Sequence, residues 1–425
     1  FQQLIEWKNS KKRKPLIIQG ARQVGKTWLL KEFGQKFYKN VVYVNFDNNT
    51  RMDNLFAGDM DIEHIISGLQ VYAQKQITPN DTLLIFDEIQ ENPNALNSLK
   101  YFYENAPEYQ IVSAGSLLGV ALTHQGKSFP VGKVEFMDLF PMSFCEFLTA
   151  IGEEQLCEVL RKQDFALIKV FKSKYEEWLK KYIYIGGMPE VVANFIKHKD
   201  FIKVREFQNQ LLKAYEEDFS KHISKKDTPK VQMIWDSIPS QLAKQNPKFV
   251  YGMLKEGARA KEFEDALIWL KKTGLVYQVN KLTKPDLPVF AYEDRSSFKL
   301  FMLDTGLFCA KSLLYAETLL DGSKIFEEFR GSLTEQYVLQ ELKTLPDMPI
   351  TYWEGKNAEV DFVIQHKNSV VPLEVKATIN LKAKSLKAYC DKYNPEKAVR
   401  TSLADYKKTD NLVDIPLYCL ENIRA

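Results

Sequence analysis

The sequence lacks the features that mark several special classes of protein. Its 425 residues contain only five cysteines, and no two of them form a C-x-x-C pair or a Cys/His cluster of the kind that holds zinc. We therefore expect reduced thiols in a cytosolic protein at all five positions: Cys145, Cys157, Cys309, Cys390 and Cys419. No apolar run approaches the roughly 18 residues that a membrane-spanning helix needs. We predict a cytoplasmic protein that does not use the membrane.

The rest of the composition is equally unspecialised. The net charge of +3 is too small to indicate nucleic-acid binding by itself, and the chain has no low-complexity tract. A chain of 425 residues is too long for one hydrophobic core, so we expect between two and four domains. The sequence starts at Phe1 rather than Met. We expect residues upstream of it, and a targeting segment among them stays open.

One stretch matches a chemical motif at every fixed position. Gly20-Ala21-Arg22-Gln23-Val24-Gly25-Lys26-Thr27 fits G-x-x-x-x-G-K-[ST], the phosphate-binding loop or P-loop. A strand-like apolar run precedes it and a segment with helical spacing follows. Glycines let the backbone wrap around phosphate oxygens, and the N–H groups at a helix N-terminus favour negative charge. We predict ATP as the ligand, with Lys26 at the β- and γ-phosphates and the Thr27 hydroxyl on Mg²⁺.

A second nucleotide signature closes the buried run Leu83-Leu84-Ile85-Phe86-Asp87-Glu88. Asp87 at the carboxyl end of this strand is predicted to hold Mg²⁺, and Glu88 to act as the general base for the attacking water. Acids also follow buried strands for solubility alone. The P-loop upstream favours the functional interpretation, which makes Glu88 and Lys26 the candidate catalytic residues.

Strands alternate with helices around these motifs. Further strands are predicted at 41–47, 109–113 and 133–136, and a helix at 93–103, which indicates an α/β fold with a parallel sheet and a ligand at the strands' carboxyl ends. The fourth strand ends at Ser113, where an additional-strand ATPase places its γ-phosphate sensor. Ser116 is an alternative for that role, and an uninvolved serine at a strand end is also common.

The middle of the chain is predicted to be helical from 146 to 225, interrupted by a helix-ending turn at Gly186-Gly187. Helices at 231–242, 249–254 and 262–273, then a glycine and a strand, give the outline of a winged helix. Such a domain binds either DNA or protein. Its basic residues suit phosphate contacts and a solvated helix face equally well: Arg259, Lys261, Lys271 and Lys272.

The last segment carries a second set of chemical residues. Alternation places Glu374 and Lys376 on one face of a strand, and Asp361 lies on the preceding strand of a predicted hairpin. This resembles the D…(D/E)-x-K pattern of restriction-endonuclease-like domains, in which two acids bind Mg²⁺ and the lysine acts on the water or the phosphate. Glu335, on a predicted helix at 329–342, would add the helix acid of such sites. The pattern also arises by chance in a chain with 58 Lys and Arg.

Several pieces together resemble one family: G-A-R-Q-V-G-K-T, L-I-F-D-E-I-Q, V-S-A-G-S-L-L, D-L-F-P-M-S-F and Y-I-G-G-M-P-E-V-V. It is the prokaryotic AAA+-like ATPases whose P-loop domain precedes a C-terminal domain of unknown function. The resemblance spans nearly the whole chain and implies the same fold and ATP use. Many relatives carry arginine where this chain has Lys133, and lysine keeps the charge of an arginine finger without its planar fork.

We therefore predict an α/β chain of four parts: a P-loop AAA+-like domain at 1–145, a helical linker or lid at 146–225, a winged-helix-like domain at 226–300 and a restriction-endonuclease-like domain at 301–425. The leading function is Mg²⁺-dependent ATP hydrolysis coupled to C-terminal domains that contact DNA or protein, with a homo-oligomer among the expected assemblies. One alternative is an ATP-regulated, metal-dependent nuclease. Another is a nucleotide-switched binding module without catalysis, against which Glu88 argues, because a switch needs no general base.

Overall fold

The computed structural model describes residues 1–58, 60–115, 130, 132–244, 246–320, 327–345, 348–379 and 381–423. The chain divides into two compact units. The first comprises Phe1–Phe140 with Lys272–Gly274, and the second comprises Pro141–Lys271 with Leu275–Ala425.

The first unit contains a five-stranded sheet, and each of its strand pairings is parallel. The strands stand in the order β2-β3-β4-β1-β5. Strand β4 thus separates the strand before the P-loop from the strand that ends in Asp87, which confirms the predicted additional-strand arrangement. The bounds are β1 Leu16–Gln19, β2 Asn40–Asn45, β3 Thr82–Asp87, β4 Gln110–Ala114 and β5 Glu135–Asp138.

Helices accompany this sheet, and apolar side chains fill two separate core clusters. One cluster contains Phe46, Phe56 and Phe86, and the other contains Leu30 and Phe33. All six residues of β3 are buried, as expected for a central parallel strand covered on both faces. The helices are α1 Gln2–Asn9, α2 Lys26–Phe37, α3 Thr50–Phe56, α4 Ile62–Ala73 and α5 Pro93–Asn105.

The second unit begins with the predicted helical region. Its first helix starts with a capping box, in which the Ser143 hydroxyl accepts from the Glu146 amide and the Glu146 carboxylate accepts from the Ser143 amide. The helices are α6 Phe144–Ala150, α7 Glu154–Arg161, α8 Phe165–Val170, α9 Lys172–Ile185, α10 Pro189–His198 and α11 Phe201–His222.

The expectation that every cysteine is a reduced thiol is wrong for one pair. Helices α6 and α7 bring the Cα atoms of Cys145 and Cys157 to 5.2 Å, and their sulfur atoms form a disulfide. The separation of 12 residues matches no redox motif. The pairing arises from the helix-turn-helix packing, which composition and spacing do not reveal. Cys309, Cys390 and Cys419 are free.

The segment predicted as a winged helix contains α12 Thr228–Leu242 and α13 Ala260–Lys272. The helix predicted at 249–254 is wrong in length, because only a 3₁₀ turn forms there, at Tyr251–Met253. Strands β6 Val276–Leu282 and β7 Glu293–Met302 then form an antiparallel hairpin. Strand β6 also pairs in parallel with β8 Ile350–Glu354, so the hairpin belongs to the C-terminal sheet.

That mixed sheet has eight strands in the order β12-β13-β11-β10-β9-β8-β6-β7. The predicted hairpin is present as the antiparallel pair β9 and β10. The remaining elements are α14 Thr305–Lys311, α15 Ala316–Leu320, α16 Glu327–Lys343, β9 Glu359–His366, β10 Ser369–Val375, α17 Lys384–Tyr393, β11 Ala398–Ser402, β12 Lys407–Thr409, β13 Leu412–Pro416 and a 3₁₀ helix at Leu417–Asn422. Among the described residues, no helix is both long enough and apolar enough to cross a membrane.

Candidate functional sites

The P-loop connects the end of β1 to the first turn of α2. Its backbone enters the left-handed region at Gly20 (φ +148°), Gln23 (φ +64°) and Gly25 (φ +95°). A Cβ atom on Gly20 would lie 2.3 Å from the carbonyl oxygen of Leu139, so only glycine fits there. Gly25 is the N-cap residue of α2. The loop therefore presents its turn and the N-terminus of a 12-residue helix as one unit.

Lys26 is the first residue of α2, and its side chain is buried inside this loop. Its Nζ atom donates to the carbonyl oxygens of Gly20 at 2.9 Å and Ala21 at 2.8 Å. Burial lowers the pKa of Lys26 to about 8, although the charges of Glu88 and Asp87 act in the opposite direction. An ammonium group bound by carbonyl dipoles gains from an incoming anion, which fits a phosphate receptor.

Thr27 and Asp87 meet at the carboxyl end of β3. The Thr27 hydroxyl donates to Asp87 Oδ2 at 2.7 Å, and the Tyr43 hydroxyl donates to the same oxygen at 2.9 Å. Asp87 is only 4% exposed. Its carboxylate and the neighbouring hydroxyl are hard oxygen donors of the kind that Mg²⁺ prefers. The two residues predicted to share Mg²⁺ therefore lie in contact and fit that ion.

Glu88 follows β3 in the left-handed conformation, with φ +48° and ψ +44°. Its Oε2 atom accepts a hydrogen bond from Gln90 Nε2 at 2.6 Å. This conformation is uncommon for a residue with a side chain and often marks functional positions. Sequence reasoning missed Gln90 and Tyr43. The spacing of D-E-I-Q was a signal for Gln90, but Tyr43 is identified only by the β2–β3 register.

Ser113 lies near the end of β4, opposite Phe86 on β3 and Ile17 on β1. Its side chain is fully buried, and its Oγ atom has no hydrogen-bond partner among the described residues. A buried hydroxyl without a partner is costly and fits a group that acquires one when ligand binds. Ser116 lies outside the described residues. Lys133 forms an exposed ion pair with Glu104 at 2.9 Å.

A second cluster lies in the C-terminal sheet. The β9–β10 pairing ends with Leu373 opposite Phe362, which places Glu374 opposite Asp361 on the same face at the next position. Asp361 Oδ2 accepts from the Val375 amide at 2.7 Å. Lys376 Nζ lies 2.7 Å from Glu374 Oε1. The other oxygen, Glu374 Oε2, is buried and has no hydrogen-bond partner among the described residues.

Glu335 of α16 joins this cluster through Lys299, a residue that sequence reasoning missed. Lys299 lies on β7 with a fully buried side chain. Its Nζ atom is 2.5 Å from Glu359 Oε1, 3.2 Å from Glu335 Oε2 and 5.1 Å from the centre of the Tyr352 ring. The signal was a single lysine in the strand sequence S-S-F-K-L-F-M, where the following residues are all apolar.

Burial shapes the electrostatics of this acid cluster. It raises the pKa of Glu374 to about 7, and the charge of Asp361 adds to that shift. Burial also raises the pKa of Glu335 to about 7, although Lys299 opposes it. For Lys299 burial alone lowers the pKa, but the charges of Glu335, Glu359 and Asp361 raise it above its ordinary value. The acids and lysines therefore depend on one another for charge balance.

In the second unit, Met142 and the motif at 184–192 form a separate buried network. Helix α9 ends at Ile185, Gly186 is its C-cap with φ +81°, and the Gly187 amide donates to Asp304 Oδ2 at 2.6 Å. The Met142 amide donates to the Gly187 carbonyl at 2.7 Å. The two glycines therefore end a helix and bring the motif at 184–192 to Met142, as expected for a structural turn.

Comparison with known proteins identifies the first part of the chain. Residues 12–148 match the family model of an AAA domain, while residues 176–318 and 330–420 match two domains of unknown function, DUF8612 and DUF4143. A search of curated proteins gave no match.

Among solved structures, a Walker-type ATPase of Pyrococcus abyssi is 14% identical over 73% of this chain and 94% of its own, with a TM-score of 0.46. The Aeropyrum pernix ORC2 protein, solved in ADPNP–ADP complexes, is 12% identical over 78% and 90%, with a TM-score of 0.33. The Thermotoga maritima RuvB Holliday junction branch migration motor is 13% identical over 65% and 87%, with a TM-score of 0.27. From the family model and the sheet topology together, the N-terminal unit contains an AAA-type P-loop domain.

Proposed function

We propose that the protein binds ATP with Mg²⁺ at the P-loop and hydrolyses it. The observation that carries this proposal is the contact between Thr27 and Asp87 beside the buried Lys26. A hydroxyl and a carboxylate for one metal, and an ammonium group for phosphate, converge at the N-terminus of one helix. Such an arrangement serves phosphoryl transfer by positioning and charge stabilisation.

Each residue has a distinct part in this proposal. The amides of residues 20–27 and the Lys26 ammonium hold the β- and γ-phosphates, and Thr27 with Asp87 holds Mg²⁺. The ion, when bound, neutralises phosphate charge. Glu88 accepts the proton of the attacking water, and Gln90 fixes the Glu88 carboxylate through their 2.6 Å hydrogen bond. The Ser113 hydroxyl donates to the γ-phosphate.

Two substitutions separate binding from turnover. Lys26→Ala should lower ATP affinity at least about tenfold in isothermal titration, because a charge-assisted contact is worth at least about 1.5 kcal/mol. Lys36→Ala is the matched control, since Lys36 lies on the same helix but is exposed and paired with Glu32 at 2.9 Å. Unchanged affinity in Lys26→Ala would remove the phosphate-binding assignment.

Glu88→Gln should keep ATP affinity and lower phosphate release by about 10²- to 10⁴-fold, since only the base is lost. Turnover at the wild-type rate would place the base elsewhere. The same variant holds ATP without hydrolysis, so a pulldown with it is suited to identify what the ATPase acts on.

We further propose that nucleotide state is coupled to the C-terminal parts of the chain. In this proposal the linker or lid at 146–225, the winged-helix-like part at 226–300 and the nuclease-like part at 301–425 contact DNA or protein, and the chain forms a homo-oligomer. The sheet shared by β6, β7 and β8 supports a mechanical connection between the last two parts. A gel shift with labelled DNA, with and without ATP, tests the DNA arm of this proposal.

A second candidate function is metal-dependent cleavage of nucleic acid. It is favoured by the Asp361–Glu374 juxtaposition and by the unpartnered, buried Glu374 Oε2. These oxygens fit Mg²⁺, which would polarise a phosphodiester when bound, and Lys376 lies beside them to offset developing charge.

Cutting of labelled DNA and RNA, with and without ATP, tests cleavage. Mn²⁺ titration of Asp361→Asn tests metal binding. The exposed Asp391, on helix α17, supplies the matched control Asp391→Asn. Equal Mn²⁺ binding by wild type and Asp361→Asn would remove the metal site at this position.

A further inference from the structure

We propose that the Lys299 ammonium is the resident cation of a subsite formed by Glu335 and Glu359, in a position that a divalent ion would otherwise take. One of the cations that neutralise the acid cluster is therefore a lysine of the protein and not a bound metal ion. The Glu335–Glu359 subsite adds a second cation position to the candidate metal site at Asp361 and Glu374. It depends on that candidate site only for the number of ions that we expect the wild type to bind.

The geometry of Lys299 is that of a coordinated cation rather than of a surface ion pair. The side chain has no exposed area, whereas Glu335 and Glu359 retain 18% and 22% exposure. Its Nζ atom contacts one carboxylate from helix α16 and one from strand β9, at 3.2 and 2.5 Å. Three secondary-structure elements therefore converge on a single ammonium group, and the Tyr352 ring lies 5.1 Å from it.

Charge balance explains why the cluster needs this lysine. Four carboxylates (Glu335, Glu359, Asp361 and Glu374) interact with two ammonium groups (Lys299 and Lys376), which leaves two negative charges when all four acids are ionised. One divalent ion at Asp361 and Glu374 compensates them, and Glu374 Oε2 is the buried oxygen that still needs a partner. A second divalent ion at Glu335 and Glu359 would have to displace Lys299.

Removal of the lysine should therefore create a metal site rather than merely destabilise the fold. In Lys299→Met the side chain keeps similar bulk, but Glu335 and Glu359 lose their counter-ion and remain partly buried. Uncompensated buried carboxylates are strongly unfavourable, so a divalent ion should bind in place of the ammonium group.

The test counts Mn²⁺ ions per chain, without nucleotide, by electron paramagnetic resonance and isothermal titration. Lys299→Met should bind one ion more than the wild type. Lys284→Met is the control, because Lys284 also pairs with a carboxylate, Asp286 at 2.6 Å, but is 61% exposed and its partner is not one of the four acids of the cluster. It should bind as many ions as the wild type. A folded Lys299→Met with no extra ion, or an equal gain in Lys284→Met, overturns the inference.

The variant remains informative if it unfolds without metal. Millimolar Mn²⁺ should then restore its circular dichroism spectrum. The inference is contradicted if Mn²⁺ does not restore that spectrum although the triple variant Glu335→Gln/Glu359→Gln/Lys299→Met folds. The wild-type count tests the candidate nuclease site separately. A wild type that binds no Mn²⁺ removes the Asp361–Glu374 metal site, whereas the gain on substitution still decides the role of Lys299.

Discussion

Replacing Glu341 with glutamine should remove a pH-dependent weakness of the second unit. Glu341 lies on α16 and is 5% exposed, and its Oε1 atom accepts a hydrogen bond from the Phe144 amide at 2.8 Å. Burial raises the pKa of this carboxyl to about 8, and the negative charges of Glu421 and Glu146 act in the same direction. The Phe144 amide opposes the shift without cancelling it.

The sign of the effect follows from proton linkage. A carboxyl whose pKa is higher in the folded state binds more protons there than in the unfolded chain. Its stabilising contribution is complete below the ordinary pKa of 4.5, declines as pH rises through about 8 and is then lost. Each unit of pKa difference corresponds to about 1.4 kcal/mol. As the pH rises from about 5 to about 9, ionisation of Glu341 alone should therefore lower the unfolding free energy of the wild type by about 4 kcal/mol.

Glutamine keeps the acceptor for the Phe144 amide and has no charge to bury. The unfolding free energy of Glu341→Gln minus that of the wild type should thus rise by this amount over the same pH range. Urea unfolding followed by peptide-resolved hydrogen exchange suits the measurement, because it reports on α6 and α16 apart from the first unit. Glu158→Gln, at an exposed position on α7, is the control and should follow the wild type at every pH. Parallel pH curves for Glu341→Gln and wild type would refute the reasoning.

Two further substitutions test local geometry. Gly20→Ala should abolish measurable ATP binding in isothermal titration while leaving helix content unchanged, because the new Cβ would meet the Leu139 carbonyl at 2.3 Å and φ is +148°. The control is Gly58→Ala, where a Cβ meets nothing within 4 Å, and this variant should bind ATP normally. Asp304→Asn should destabilise the second unit by about 2 kcal/mol in urea unfolding at neutral pH. The Asp304 oxygens accept from the backbone amides of Gly187 at 2.6 Å and Leu307 at 2.9 Å, and the side-chain nitrogen of asparagine would leave one of these two amides without an acceptor. Wild-type ATP affinity in the first variant, or wild-type stability in the second, would contradict these contacts.

The first unit could be predicted closely from the sequence because each of its signals is local. The P-loop spacing, the apolar run of β3 and its terminal acids lie within short stretches, and parallel topology follows from the alternation of strands with helices. The position of β4 between β1 and β3 was expected because the nucleotide motifs indicate an additional-strand ATPase. Tyr43 was not predictable, since its contact with Asp87 depends on the register between two strands.

The second unit shows the opposite case. Its helices and the β9–β10 hairpin were predictable, but the sheet that joins β6 and β7 to the C-terminal strands depends on the long-range pairing of β6 with β8. The same is true of Lys299, which reaches Glu335 and Glu359 from a distant part of the sequence. The disulfide between Cys145 and Cys157 likewise depends on how two helices pack. Such long-range contacts produce no periodic pattern of residues in a single sequence.

Two buried lysines illustrate how surroundings determine what one side chain can do. Lys26 is held by two backbone carbonyls, so its charge is only partly compensated, and burial lowers its pKa to about 8. A bound phosphate supplies the missing negative charge, which makes Lys26 suited to bind an anion. Lys299 is held by two carboxylates, and their charges raise its pKa above the ordinary value. An anion would gain little at Lys299, while a cation would have to displace it. The first lysine is therefore arranged as a receptor and the second as an internal counter-ion, and Lys26→Ala and Lys299→Met should accordingly affect ATP binding and metal stoichiometry independently.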